Sequence, residues 1–160
     1  MVGSDSDLKV MQSTVDALDT LGVNSELRIM SAHRTPERVY EYILDADSRG
    51  CALYIAAAGL AAHLAGAVAA NTLKPVIGVP LDAGTLGGID ALLSTVQMPG
   101  GVPVACVAVG SPGAKNAAFL AARILALHDE KIAANLSAQL EANRAAIFEK
   151  DLNLQKQRQG

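Results

Sequence analysis

Residues 52–63 read Ala-Leu-Tyr-Ile-Ala-Ala-Ala-Gly-Leu-Ala-Ala-His, and the reading of this run decides the fold. From Cys51 to Leu73 the chain carries no Asp, Glu, Lys or Arg, and that length would suffice for a membrane span. The composition argues against one. The run is mostly Ala and Gly, with His63 and Asn71 inside it, and Ala58-Gly59-Leu60-Ala61-Ala62-His63 reads as a turn between two elements. Ala52 to Ala57 is then a buried strand of the parallel-sheet kind. The helix after it covers about Ala62 to Leu73.

The same alternation continues in both directions. Leu8, Met11, Val15, Leu18 and Leu21 recur at helical spacing over Asp7 to Leu21. Ser6 or Asp7 can cap that helix and Gly22 ends it. Ser25 to Met30 reads as a strand, and Pro36 sits in the first turn of a helix that runs to Gly50. Downstream, Pro75 to Pro80 is a short strand, and a Gly-rich loop from Ala83 to Gly88 leads into a helix through about Val96. Val102 to Val109 is a further strand. From Gly113 the chain is helical in two pieces that part near His128-Asp129, and the polar tail from Lys150 to Gly160 is expected to fray. Strand–helix alternation predicts an α/β fold with helices on both faces of a parallel sheet. The 160 residues fit one domain, with about 129–150 as a helical extension and 151–160 as a tail.

Bulk properties narrow the function. A net charge of -3 supplies no basic footprint for nucleic acid. Met1-Val2-Gly3-Ser4-Asp5 lacks the basic and apolar regions of a signal peptide. Cys51 and Cys106 stand in apolar surroundings and suit a reducing cytoplasm. Charge distribution says more than total charge. From Cys51 to Leu127 only Lys74, Asp82, Asp90, Lys115 and Arg123 are charged, five of 77 residues, against about a quarter in an average domain. A monomer cannot cover its surface with such a segment, so much of it is expected to be buried between copies in a homo-oligomer.

In open α/β sheets ligands bind beyond the carboxyl ends of the strands. That rule selects three loops. Gly3-Ser4-Asp5-Ser6-Asp7 offers helix-start amides and two hydroxyls to a phosphate. Its carboxylates repel phosphate but suit a ribose diol; a capped helix with no ligand explains the same residues. In Ser31-Ala32-His33-Arg34-Thr35-Pro36, Arg34 presents a planar fork for phosphate and His33 exchanges protons near neutral pH. Thr35 can cap the helix that Pro36 starts. The alternative is a structural ion pair beside a plain loop histidine. Ala57 to His63 has small residues that let a flat ligand approach the backbone, with His63 as a ligand contact or a helix-start residue. Walker, dinucleotide-fingerprint, Gly-x-Ser-x-Gly and zinc spacings are all missing from the sequence.

Taken together, these loops resemble the class I PurE family of purine biosynthesis, the N5-carboxyaminoimidazole ribonucleotide mutases. The resemblance rests on the three loops, extended through Leu64, and on Pro75-Val76-Ile77-Gly78-Val79-Pro80 and Val96-Gln97-Met98-Pro99. Asn116-Ala117-Ala118 and Leu120-Ala121-Ala122 add to it, and it covers the chain to about Asp129. It implies a flavodoxin-like three-layer α/β/α sandwich assembled as a cytoplasmic homo-octamer. The implied reaction moves a carboxylate from an exocyclic nitrogen of a ribonucleotide to its imidazole carbon, with CO2 held as intermediate. By the resemblance, His33 carries the proton, Ser4, Ser6, Ser31 and Arg34 bind phosphate, and Asp7 binds ribose. Ala58, Gly59, Ala61 and His63 cover the base and the CO2. No ATP, biotin, metal or other cofactor is implied.

Two alternatives stand beside this: a class II carboxylase using free CO2, and a non-catalytic nucleotide-binding module of the same fold. His33-Arg34-Thr35-Pro36 and Ala61-Ala62-His63-Leu64 favour class I. Some positions depart from the family pattern. Met1-Val2 is a short first strand, Leu60 stands where many relatives have glycine, and Ala65 where many have proline. Ser111-Pro112 replaces a common Lys-Ala, so no substrate contact is assigned there.

Overall fold

The computed structural model describes residues 1–159. Three parallel strands form the sheet: β1 (Tyr54–Ala58), β2 (Val76–Pro80) and β3 (Ala105–Cys106), in the order β1-β2-β3. The β1–β2 register runs from Tyr54 opposite Val76 to Ala58 opposite Pro80. Val2 extends the sheet beyond β1 through parallel bridges to Ala57 and Ile29. Spatially the segments then run Ile29, Val2, β1, β2, β3. In chain order this is 2-1-3-4-5, the flavodoxin-like arrangement, whose switch point lies between the first and third segments.

Helices cover both faces. α1 (Leu8–Thr20) and α5 (Gly110–Leu125) pack together on one face, where Ala57, Ile77 and Val79 meet Met11, Leu18, Ala114, Ala117, Ala118 and Ala121. α2 (Pro36–Ser48), α3 (Leu64–Ala69) and α4 (Ile89–Val96) lie on the other. There Tyr54, Ala56 and Val76 meet Val39, Ile43, Ala46, Leu64 and Val68. The buried positions explain each helix: Met11, Thr14 and Leu18 in α1, and Val39, Ile43 and Ala46 in α2, fall on one stripe at three- and four-residue steps. α6 (Glu130–Gln159) anchors through Ile132 and Leu136 against Leu21 and Ala122, then leaves the body.

Several expectations are corrected. Ser25–Met30 is not a strand: only Ile29 forms a bridge, because Val2 alone faces it, with Val2 N–H donating to Arg28 O at 2.9 Å and Met30 N–H to Val2 O at 2.8 Å. The Val102–Val109 strand shrinks to Ala105–Cys106, an edge strand bonded on one side, with Pro103 unable to donate just before it. The helix expected over 62–73 is confined to Leu64–Ala69. The tail does not fray: residues 150–159 continue α6. Lys, Leu, Gln and Arg are good helix formers, and Lys156 and Arg158 favour its carboxyl end. Gly160 lies outside the described residues. No helix of the described chain is long and apolar enough to cross a membrane.

Candidate active site

The site forms where the loops after Val2, Ile29 and β1 leave the sheet. The backbone fixes their approach. Gly3 N–H donates to Ala57 O (3.3 Å), and Leu81 N–H to Ala58 O (2.9 Å). Arg34 Nη2 donates to Gly3 O at 3.0 Å, tying the second loop to the first. Ser31 Oγ accepts from Arg34 N–H at 3.2 Å. Thr35 stands at the N-cap of α2, but its hydroxyl bonds back to Ser31 O rather than capping the helix.

His33 and His63, 30 residues apart in sequence, meet here. Nε2 of His33 lies 2.6 Å from Nδ1 of His63, and the rings stand edge to face at 88° with centroids 4.8 Å apart. A hydrogen bond this short needs one nitrogen carrying hydrogen and the other bare, so the pair sets each ring's tautomer. Both rings are exposed, as are Arg34, Leu60 and Ala61; Ser31, Ala58 and Gly59 are half-buried.

The Gly3–Asp7 loop is occupied by its own hydrogen bonds. Ser4 Oγ donates to Asp5 Oδ1 (3.0 Å), Ser6 Oγ to Asp7 Oδ1 (3.1 Å), and Ser4 N–H to Asp7 Oδ2 (3.1 Å). The Ser4 hydroxyl, the Ser6 amide and, more weakly, Arg34 hold the Asp5 carboxyl below its ordinary range. A phosphate here would have to take both hydroxyls from the carboxylates.

Among the described residues, Leu60 is the one non-glycine with positive φ, +55°. A left-handed leucine costs on the order of 1–2 kcal/mol. A β-carbon on Gly84 would sit 2.7 Å from Leu60 Cδ2, and one on Gly59 would sit 2.6 Å from Ala83 Cβ. The Leu81–Gly88 loop thus packs directly on the Ala58–His63 loop.

The AIR carboxylase family profile matches residues 1–146. The chain belongs to the AIR carboxylase family. It is 48% identical over 155 residues to a protein from Thermotoga maritima named N5-carboxyaminoimidazole ribonucleotide mutase, covering 97% of this chain and 90% of that one. The protein of that name from Bacillus subtilis is 48% identical over 149 residues, covering 93% and 92%. The crystal structure of Treponema denticola PurE superposes with a TM-score of 0.86 at 34% identity, covering 96% of this chain and 94% of that one. The flavodoxin-like reading therefore holds for this family member.

The structure brings His33, Arg34, Ser31, Gly3 and His63 to one end of the sheet, with Ser4, Ser6 and Asp7 following Gly3. What sequence reasoning missed is the fourth loop, Leu81–Gly88. Its signal was available: it also follows a strand, and Gly84, Gly87 and Gly88 all have positive φ. A cavity of about 520 Å³ lies at the opposite, amino end, between residues 23–27 and 51–55, away from these groups.

Proposed function

We propose that this family member is an N5-carboxyaminoimidazole ribonucleotide mutase. The close histidine pair beside Arg34 at the switch point carries the reading, since it offers proton transfer and phosphate recognition side by side. The names and coverage of the relatives support it over the carboxylase and the non-catalytic module.

In the proposed sequence, the bond between the exocyclic nitrogen and its carboxylate breaks, and its electron pair returns to nitrogen, which takes a proton. The ring carbon then attacks the released CO2, and its own proton leaves to His33. One proton enters and one departs, so the net change is an isomerisation that consumes neither oxidant nor ATP. Arg34, Ser31, Ser4 and Ser6 hold the phosphate, and Asp7 the ribose diol. Ala58, Gly59, Ala61 and His63 border the base and the CO2, and His63 also orients His33. Held geometry and one placed acid/base supply most of the acceleration.

The exposed site and the apolar surface favour a homo-oligomer, which we place as an octamer by family resemblance. Leu86, Ile89, Leu93 and Val96 are between 48% and 63% exposed on and beside α4. Asp90 Oδ1, among them, is buried with no hydrogen-bond partner among the described residues. A second copy seated there would cover the exposed apolar side chains. The chain then works as one domain with α6 as an extension, in a reducing cytoplasm that suits its free Cys51 and Cys106.

The test is direct. Protein given N5-carboxyaminoimidazole ribonucleotide without ATP converts it to the carbon-carboxylated isomer. No conversion by folded, assembled protein refutes the reading, and preference for aminoimidazole ribonucleotide with bicarbonate reassigns it as a carboxylase. Light scattering that reports a monomer refutes the oligomer.

A further inference from the structure

We infer that Asp5 is a specificity-determining residue that competes with the substrate's phosphate for Ser4 and Ser6 and so weakens phosphate binding; the inference rests on the mutase reading. One carboxylate oxygen, Asp5 Oδ1, accepts from Ser4 Oγ and from the Ser6 N–H, each at 3.0 Å. A hydroxyl and a backbone amide converging on one anionic oxygen is also how a phosphate oxygen is held at such a loop. Arg34 supplies the third group from a separate loop. It is tied to Gly3 O at 3.0 Å, and its charge stabilises the Asp5 carboxylate. Asp5 therefore engages three of the residues that the proposed function gives to phosphate.

Asp7 differs. It takes the Ser6 hydroxyl and the Ser4 amide, each at 3.1 Å, but the ribose diol gives its carboxylate a use in the complex. Asp5 has no such ligand. Its side chain is exposed, so it is free to turn into water when phosphate arrives. The Ser4 hydroxyl and then the Ser6 amide hold its carboxyl below the ordinary range, so it is charged at neutral pH. Phosphate entry thus breaks both of its hydrogen bonds and leaves one anion beside another. The phosphate is remote from the imidazole atoms whose bonds change, so both effects fall on binding rather than on the chemical step.

Two variants test this, with KM for the ribonucleotide and kcat measured together and thermal unfolding confirming that each is folded. Asp5→Asn keeps an acceptor oxygen but removes the charge; Asp5→Ala removes both. At low salt Asp5→Asn should lower KM about three- to tenfold, the effect of one exposed charge a few ångströms from a phosphate. Asp5→Ala should lower it at least as far, and kcat should move less than KM in both. Inorganic phosphate should inhibit both variants at correspondingly lower concentration. In 1 M salt, where the screening length is about 3 Å, the gain in Asp5→Asn should largely vanish. An unchanged or raised KM in Asp5→Asn overturns the inference and leaves the mutase reading intact. A raised KM in Asp5→Ala also overturns it, since Asp5 would then shape the loop for phosphate instead of competing with it. So does a gain that persists undiminished at high salt, because charge would not be its cause. Absence of isomerisation by the unaltered protein ends both readings, and is recognised by the lack of product at any substrate concentration.

Discussion

Removing the His63 ring isolates what the histidine pair contributes. The two rings share one hydrogen bond, 2.6 Å between exposed nitrogens. A side-chain hydrogen bond of this kind is worth about 0.5–1.5 kcal/mol net. At 1.36 kcal/mol per tenfold, His63→Ala should lower kcat about 2- to 13-fold. His33→Asn removes the proton carrier itself and should cost about 10²–10⁴-fold. If His63 acts through His33, the two losses cannot add, because a positioning group has nothing to position once the carrier is gone. The double variant should therefore be no slower than His33→Asn. Initial rates of isomer formation at saturating ribonucleotide, with KM measured alongside, give all four corners of the cycle. A His63→Ala loss beyond about a hundredfold would place His63 in the proton transfer itself. Fully additive losses would show that the rings act independently, and either result refutes the reasoning.

Arg34→Ala should raise KM about 10- to 150-fold, the value of a charge-assisted bond. The same change should matter little for the dephosphorylated nucleoside; an equal loss there would remove Arg34 from phosphate binding. Gly113→Ala should destabilise the protein by about 3 kcal/mol or more, since the new β-carbon would sit 1.6 Å from Ala108 O, a backbone atom; urea midpoints measure it. Tyr54 donates to Asp47 Oδ1 at 2.7 Å, and burial first, then that carboxylate, push its phenol well above its ordinary value of 10.0. A raised folded value gives stability that is complete below about pH 10 and lost as pH rises further. Tyr54→Phe should cost about 1–2 kcal/mol at neutral pH, with the gap narrowing above pH 10; a gap that widens there would contradict the assignment.

The order of elements and the location of the site were legible because both rest on local pattern. Stripes such as Met11, Thr14 and Leu18 fix a helix without reference to its partners. Strand extent was not legible, because pairing is a property of the neighbour. Ile29 has only Val2 to bond, and β3 has β2 on one side only. The His33–His63 contact was equally hidden. Both residues stood out as candidates, but only the spatial order Ile29, Val2, β1 sets the two loops close enough for the rings to touch. The fourth loop was missed for a different reason: its glycines read as a connector, whereas Gly84 is the surface on which Leu60 sits.

The scarcity of large side chains gives this site its character. With no tryptophan and two phenylalanines, the layers cohere by close approach. Ala114, Ala117, Ala118, Ala121 and Ala122 of α5 are all but fully buried. At Gly78 in β2 an added β-carbon would lie 2.4 Å from Thr95 Cγ2 and 2.8 Å from Val104 Cγ1. Backbones held this close leave the loops at the strand ends little freedom, which suits the proposed function, in which a small neutral intermediate is held. Small residues also remove less apolar surface from water, at about 0.8 kcal/mol per buried CH₂, so a single copy gains only modest stability from its core. The exposed Leu86, Ile89, Leu93 and Val96 are part of the apolar surface that one copy leaves bare, and under the proposed function a second copy covers them. Under the proposed function, stability and site closure therefore come from the same assembly. On serial dilution, activity should be lost at the concentration where light scattering shows the copies separating; activity that survives in the monomer would uncouple the two.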